Sequence, residues 1–216
     1  MSEKFHAELD ELKKDVLTMG RLANDMLWKS IEALKDRDTR KAEWVVSKRK
    51  ELSELDDRIE ESSLRLIALY QPMAEDMRTI ATSLKMNTYL ARVGRYGKDI
   101  AKVAIELADQ PSMAKLVSIP FQAKTVCGMV DDALTAFETG DLAKITDMAE
   151  RDSTVDALRY SIFRECLSYM MEDPKNITRC SHYTMIARYL ERCGDHACKM
   201  AEKIHYMVTG ERIEIK

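Results

Sequence analysis

Apolar residues recur at intervals of three and four along almost the whole chain. In the N-terminal segment Leu9, Leu12, Val16 and Met19 begin such a series, which continues to Leu34. Residues at this spacing lie on one face of an α-helix, whereas a half-buried strand requires alternation with a period of two. The sequence has no sustained period-two segment. The pattern therefore predicts an all-α protein.

Turn and capping residues divide this pattern into six long helices. Asp38 and the pair Gly140 and Asp141 supply turn and N-cap chemistry ahead of two of the helices. Pro72 and Pro174 stand at the start of two others, where a missing backbone N–H costs little. The predicted helices cover residues 5–36, 39–70, 73–108, 121–138, 141–172 and 175–209.

The first three helices and the last three match each other in sequence. The apolar residues Leu27 and Ile31 correspond to Val130 and Leu134 at an offset of 103 residues. The motif Tyr-Leu-x-Arg-x-Gly at residues 89–94 returns at an offset of 100 residues. Periodicity alone does not produce such a match, so the sequence indicates a duplicated three-helix unit.

Each unit can bury its apolar stripe in an up-down-up bundle with short loops. We therefore predict two tandem, pseudo-symmetric three-helix bundles. The first repeat covers residues 1–109, a junction follows at 110–120, and the second repeat covers 121–216.

Composition and charge narrow the classes of function. Only 7 Gly and 4 Pro are present, and 33% of the residues are charged, which suits long helices with few turns. A net charge of −3 provides no basic surplus for binding nucleic acid. The N-terminal segment is charged and amphipathic, and no apolar run approaches the roughly 20 residues that span a bilayer. We expect a soluble, cytoplasmic protein with no nucleic-acid partner.

Two pairs of carboxylates in the second repeat are candidate metal ligands. Asp152 and Asp156 are four residues apart in the fifth predicted helix, and Glu191 and Asp195 are four apart in the sixth. Residues at this spacing share a helix face. Four carboxylates that converge between two helices repel each other unless a cation lies among them. Oxygen ligands favour Mg²⁺, Ca²⁺, Mn²⁺ or iron, and salt bridges to neighbouring lysines and arginines are the alternative.

The corresponding positions of the first repeat carry no acids. The two offsets lead from the four acids to Arg49, Ser53, Ala91 and Arg95. All four acids are lost together, and two of them are replaced by cations. This joint loss predicts that a metal site is retained in the second repeat only.

Gly94 and Gly194 lie inside the third helix of each repeat. Glycine costs about 1 kcal/mol relative to alanine in a helix interior. We therefore predict that another helix backbone approaches closely at these two positions.

The segment Leu-Glu-Arg-Cys-Gly-Asp-His-Ala at residues 190–197 resembles the LERIGDxA signature of the PhoU family. Further segments resemble full-length members of this family: Thr18-Met19-Gly20, Gln71-Pro72 and the run from Tyr169 to Asp173. The resemblance covers about residues 5–210 of the chain.

This resemblance implies two symmetry-related three-helix bundles in a cytoplasmic, often dimeric protein. It implies a negative regulator of phosphate uptake that links the ATPase subunit of the phosphate ABC transporter to a sensor histidine kinase, where one exists. Membrane association would then occur only through these partners. The family's ligands for multinuclear iron, zinc or other metal clusters map onto Asp152, Asp156, Glu191 and Asp195.

Two other functions compete with a metal-binding regulator. A metal-free helical adaptor would use the acids only in salt bridges. A carboxylate-bridged di-metal enzyme would use Glu-x-x-His pairs, and the chain contains Glu3 with His6 and Glu202 with His205. Neither pair belongs to the duplicated framework, and His182, His196 and His205 are interpreted as surface or helix-edge residues. We therefore expect a protein without enzymatic activity.

Overall fold

The computed structural model describes residues 3–110 and 118–215, and all regular structure within these ranges is helical. This confirms the predicted all-α fold. The described residues form seven α-helices: α1 (Glu3–Asp36), α2 (Thr39–Ser47), α3 (Arg49–Tyr70), α4 (Ala74–Leu107), α5 (Ser118–Thr139), α6 (Met148–Glu172) and α7 (Ile177–Thr209). Short 3₁₀ helices at Leu142–Ile145 and Pro174–Asn176 precede α6 and α7.

Two of the predicted helices are interrupted near their N-terminal ends. The predicted helix 39–70 is divided at Lys48, whose N–H donates to the carbonyls of Trp44 and Val45 in a tight turn. The predicted helix 141–172 begins instead as the 3₁₀ helix Leu142–Ile145. Its cap Asp141 accepts a hydrogen bond from the N–H of Ala143, only two residues further on. This short Asx turn favours the tighter helix.

The predicted turn residues act as expected. The Asp38 carboxylate accepts a hydrogen bond of 3.0 Å from the N–H of Lys41 and so caps α2. Gly140 adopts a φ of +76°, a conformation that favours glycine, and thereby ends α5. The predicted junction 110–120 is shorter than expected at its C-terminal side, since α5 already begins at Ser118. The central part of this junction, residues 111–117, lies outside the described residues.

The helices pack as two bundles around a shared apolar core. In the first repeat α1 lies along α4, with α2 and α3 against both. In the second repeat α7 packs against α5 and α6. The repeats meet through α4 against α7 and α1 against α5. Apolar side chains from both halves therefore belong to one continuous core, in which Met26, Leu90 and Phe137 are almost fully buried.

The closest backbone approach occurs at a different glycine from those predicted. A Cβ atom on Gly97 of α4 would lie 2.8 Å from the backbone nitrogen of Leu27 in α1. At Gly94 the neighbour is instead the Leu52 side chain, whose Cδ2 atom would lie 2.5 Å away. At Gly194 it is Asp152 Oδ1, at 3.0 Å. The prediction was thus wrong about the backbone, since Gly94 and Gly194 accommodate side chains of the middle helices.

Four aromatic rings lie where α4 meets α7, and they obey the internal symmetry. Tyr89 stacks on His196 with ring centroids 5.5 Å apart, and Tyr96 stacks on Tyr189 at 5.2 Å. The offset of 100 residues relates Tyr89 to Tyr189 and Tyr96 to His196, so the internal symmetry relates one stacked pair to the other. His196 is therefore buried, and the interpretation of it as a surface residue was wrong. Burial, assisted by the positive charge of Arg92, lowers the pKa of His196 to about 4.

Candidate functional site

The four predicted acids of the second repeat gather where α6 packs against α7. Asp152 and Asp156 lie on α6, while Glu191 and Asp195 lie on α7. The absence of a side chain at Gly194 leaves room for the Asp152 carboxylate against α7. These four residues form what we call the acidic cluster.

Asp152 is the residue of this cluster most affected by its neighbours. Burial, together with the negative charges of Asp195, Asp156 and Glu191, raises the pKa of Asp152 to about 6. Its Oδ1 atom is buried and has no hydrogen-bond partner among the residues that the structure describes. A buried carboxylate oxygen without a hydrogen-bond donor is unfavourable. A positively charged group at this position would provide a partner for the oxygen and would also reduce the repulsion among the carboxylates.

Three arginines surround the second buried carboxylate, that of Glu191. Guanidinium nitrogens of Arg159, Arg188 and Arg192 lie 3.8–3.9 Å from its oxygens, too far for hydrogen bonds. Consistent with these distances, Glu191 Oε2 is buried and has no hydrogen-bond partner in the described part of the chain. Arg192 makes a closer ion pair with Asp195, at 2.9 Å. The arginines thus offset part of the negative charge while leaving carboxylate oxygens unpaired.

Within residues 3–110 and 118–215, no three His, Cys, Asp or Glu side chains are arranged so that they could hold a metal ion. The chemistry of the acidic cluster nevertheless fits a hard cation, because its donors are carboxylate oxygens and two of them are buried and unpaired. The side chains would have to rotate toward one another for three or more of them to bind a single ion. The ligand set therefore stays a prediction.

The four equivalent positions of the first repeat also lie together. Arg49 and Ser53 of α3 and Ala91 and Arg95 of α4 line a pocket of about 170 Å³, here called the basic pocket. Its other lining residues are Met26, Leu52, Asp56, Gly94 and Lys98. The second repeat thus has a cluster of carboxylates where the first has a pocket whose lining includes three cations, Arg49, Arg95 and Lys98. Sequence offsets identified the four replaced positions but did not indicate the pocket or the participation of Lys98 and Asp56.

In the described part of the chain, the Glu-x-x-His pairs do not form the metal site that a di-metal enzyme would require. The Glu202 carboxylate accepts hydrogen bonds from Lys199 Nζ at 2.7 Å and from the N–H of Ile215 at 3.0 Å. His205 contacts the carbonyl of Glu211 at 3.2 Å. These partners account for both residues of the pair on α7 as structural groups.

No helix among the described residues has the length and apolar character required to cross a membrane. The chain is matched twice by the family model described as "PhoU domain", over residues 16–104 and 122–204. It is 40% identical to the phosphate-specific transport system accessory protein PhoU homolog of Caulobacter vibrioides. That alignment covers 98% of this chain and 92% of the relative.

Solved structures agree with this sequence similarity. PhoU from Pseudomonas aeruginosa superposes with a TM-score of 0.91 at 33% identity, covering 96% of this chain and 100% of that one. The phosphate transport system regulatory protein PhoU from Streptococcus pneumoniae gives a TM-score of 0.88 at 28% identity, with coverage of 97% and 99%. The two family matches coincide with the two helical repeats, and the relatives align along nearly the entire chain. The chain therefore belongs to the PhoU family.

Proposed function

We propose that this protein is a non-enzymatic regulator of phosphate homeostasis that restrains phosphate uptake through the phosphate ABC transporter. The observation that carries the proposal is the match of both repeats to the PhoU domain. Relatives that align with 98% of the chain are named accessory proteins of the phosphate-specific transport system. The protein would act in the cytoplasm, as a homodimer or as one partner in a larger assembly.

Deletion of the gene tests the direction of this regulation. In cells supplied with ample phosphate, we expect the deletion strain to take up labelled phosphate faster than its parent, and a plasmid copy of the gene to restore the parental rate. An uptake rate that is unchanged by the deletion would contradict negative regulation. Equal amounts of the transporter subunits in both strains would show that the effect lies on transport activity rather than on expression.

A protein-binding role is supported by an apolar stripe on the surface of α6. Tyr160, Phe163, Leu167 and Met171 follow helical spacing and are between 43% and 86% exposed. Contiguous exposed apolar residues mark interaction surfaces more often than scattered ones do. Because the relatives are named for a phosphate transport system, we assign this stripe to the ATPase subunit of the transporter.

Copurification with the ATPase subunit, at high and at low phosphate, tests this assignment. The change Phe163→Ser plus Leu167→Ser should abolish recovery of the subunit. Leu64→Ser plus Leu69→Ser, at exposed positions of α3, is the matched control and should leave recovery unchanged. Absence of association under both phosphate conditions would overturn the assignment. If Phe163→Ser plus Leu167→Ser instead converts a dimer into a monomer, the stripe binds a second copy of the chain rather than the ATPase subunit. Parallel copurification with the sensor histidine kinase tests the second partner.

We further propose that the acidic cluster binds a divalent or trivalent metal ion, or a multinuclear iron or zinc cluster, through Asp152, Asp156, Glu191 and Asp195. A cation bound there would neutralise the repulsion among the carboxylates and provide partners for their buried oxygens. Arg159, Arg188 and Arg192 would then offset the remaining negative charge at the edge of the cluster.

Elemental analysis of protein purified without chelators decides between the metal-binding regulator and the metal-free adaptor. We expect bound metal in the wild type and its loss after Asp156→Ala plus Asp195→Ala. The matched control is Asp131→Ala plus Asp147→Ala, which removes two acids of the same repeat outside the cluster. No metal in the wild type, or equal metal in the variant, would favour the adaptor. Oxygen-dependent turnover by iron-loaded protein would instead revive the di-metal enzyme.

A further inference from the structure

The basic pocket of the first repeat is a second candidate binding site. It lies between α3 and α4 and has a volume of about 170 Å³. This size suits a small ion better than a nucleotide or a peptide.

The positive charge around this pocket is only partly compensated. Lys98 Nζ pairs with Asp99 Oδ1 at 2.8 Å. Among the described residues, by contrast, the exposed Arg49 and Arg95 form no ion pair within 4.0 Å, although the positive charge of Arg95 acts to lower the pKa of the Asp56 carboxyl. Two arginines without a paired carboxylate at one pocket provide donors for an oxyanion, because a guanidinium group presents parallel N–H groups that match two oxygens.

Among the described residues that line the pocket, Asp56 is the only acid. Its Oδ1 atom accepts a hydrogen bond of 2.7 Å from Asn87 Nδ2, which holds the carboxyl group in place. A carboxylate repels an anion unless that anion carries a proton to donate. Phosphate near neutral pH carries a P–OH group, whereas sulfate carries no proton. Asp56 therefore supplies a means to distinguish the two ions.

The internal symmetry gives independent support, since the charge inversion extends beyond the four positions already compared. The offset of 103 residues relates Asp56 to Arg159, the residue that lies 3.9 Å from Glu191 in the acidic cluster. The acidic cluster is thus bordered by a cation at the position where the basic pocket has an acid. Such reciprocal exchange is expected if each site holds a ligand of opposite charge.

From these observations we infer that the basic pocket binds a phosphate ion through Arg49 and Arg95, with Ser53 as an additional hydroxyl donor and Asp56 as an acceptor for the phosphate proton. This inference does not depend on the role of the protein in transport. The shared chemistry is that of a phosphoryl group, whether free or carried as a monoester, and the size of the pocket favours the free ion.

Isothermal titration calorimetry of the full chain with inorganic phosphate, at constant ionic strength, tests the inference. We expect one equivalent to bind, and the variant Arg49→Gln plus Arg95→Gln to lose at least about tenfold in affinity, as follows from removal of charge-assisted hydrogen bonds. The control Arg40→Gln plus Lys85→Gln removes the same charge from exposed positions of the same repeat that do not line the pocket, and it should leave the affinity unchanged. Circular dichroism verifies that each variant folds.

Two further titrations examine selectivity. Sulfate should bind the wild type at least about tenfold more weakly than phosphate, and Asp56→Asn should remove most of that difference. Glycerol 3-phosphate distinguishes the free ion from a monoester and should bind more weakly than phosphate. Absence of phosphate binding to the wild type, or equal affinity in the double arginine variant, would overturn the inference. Equal binding of sulfate would overturn the role of Asp56, and tighter binding of the monoester would overturn assignment to the free ion.

Discussion

The two repeats present opposite charges at matching positions between their middle and last helices. In the second repeat four carboxylates gather, and the pKa of Asp152 rises to about 6. In the first repeat Arg49, Arg95 and Lys98 border a pocket whose described lining residues include one acid, Asp56. The helical framework is the same in both, so the difference arises from a few side chains. It shows that one duplicated scaffold can present side chains of opposite charge at matching positions once its two copies diverge.

Exchange of the charges between repeats should give the largest effect. The quadruple change Arg49→Asp, Ser53→Asp, Ala91→Glu and Arg95→Asp reproduces the acidic cluster in the first repeat. We expect phosphate binding to be abolished and a second equivalent of metal to bind, because carboxylates replace the donors of the basic pocket. Calorimetry and elemental analysis provide the two measurements.

The control for this exchange is Arg40→Asp plus Lys85→Asp, which alters charge elsewhere in the first repeat. A folded quadruple variant that keeps phosphate binding and gains no metal would show that the comparison of the two sites is wrong.

The glycine at the closest approach of two helices should give the next largest effect. Gly97→Ala places a methyl group against the backbone of α1, so the helices must move apart. We expect the free energy of unfolding to fall by about 2 kcal/mol. Overpacking lowers it, and the higher helix propensity of alanine offsets part of that loss. Denaturant titration measures it. At the matching position of α7, Ala197→Gly introduces no clash and should cost only about 1 kcal/mol. Greater stability of the Gly97→Ala variant would contradict the tight packing of α1 on α4.

Neutralisation of the most strongly affected carboxylate should stabilise the metal-free protein. In chelator-treated protein at pH 7, Asp152→Asn removes a charge that the fold disfavours, since its pKa is raised from 3.8 to about 6. We expect a gain of about 1 kcal/mol, after allowance for solvent screening of a half-buried group. The gain should vanish at low pH, where the carboxyl group is protonated in both folded and unfolded chains. Thermal unfolding at the two pH values measures this.

The sign of this effect should reverse when metal is supplied. The wild type would then gain stability that the Asp152→Asn variant lacks, because a metal ion that binds only the folded state stabilises that state. Destabilisation by Asp152→Asn in the absence of metal would show that this carboxylate contributes a favourable interaction to the fold.

The smallest effect is expected at the glycine beside the acidic cluster. In Gly194→Ala the new methyl group would contact Asp152 Oδ1 at 3.0 Å, and this side chain can move. The cost of displacing the Asp152 side chain should nearly cancel the gain in helix propensity from alanine, so the free energy of unfolding should change by less than about 1 kcal/mol. Metal affinity should nevertheless fall, because the Asp152 carboxylate is displaced. A large loss of stability without any change in metal binding would indicate that Gly194 serves packing alone.

Much of the fold could be predicted because it depends on local periodicity. The apolar spacing from Leu9 onward determined the helical class, and the repeated Tyr-Leu-x-Arg-x-Gly segment indicated the duplication. The interruption at Lys48 could not be predicted in this way, because the apolar spacing continues across it. The true site of backbone contact, Gly97, resembles other helical glycines in sequence and is distinguished only by its partner in α1.

The candidate sites were predictable to a lesser degree. Spacing of four residues placed the acids on shared helix faces, and the offset between repeats identified Arg49 and Arg95 as their replacements. The burial of His196 between tyrosines was missed, although the spacing of seven residues from Tyr89 to Tyr96 recurs from Tyr189 to His196 and could have revealed it. The place of Asp56 in the basic pocket required the packing of α3 on α4 to be known.

The sequence by itself determined the helical class, the duplication and the loss of acids from one repeat, since each is encoded in residues that are close together or related by a constant offset. Tertiary structure decided which carboxylate oxygens are buried without a partner among the described residues, and which cations line the basic pocket. These properties depend on the distance between side chains of different helices and on the water that packing removes. Neither quantity is fixed until the helices have come together.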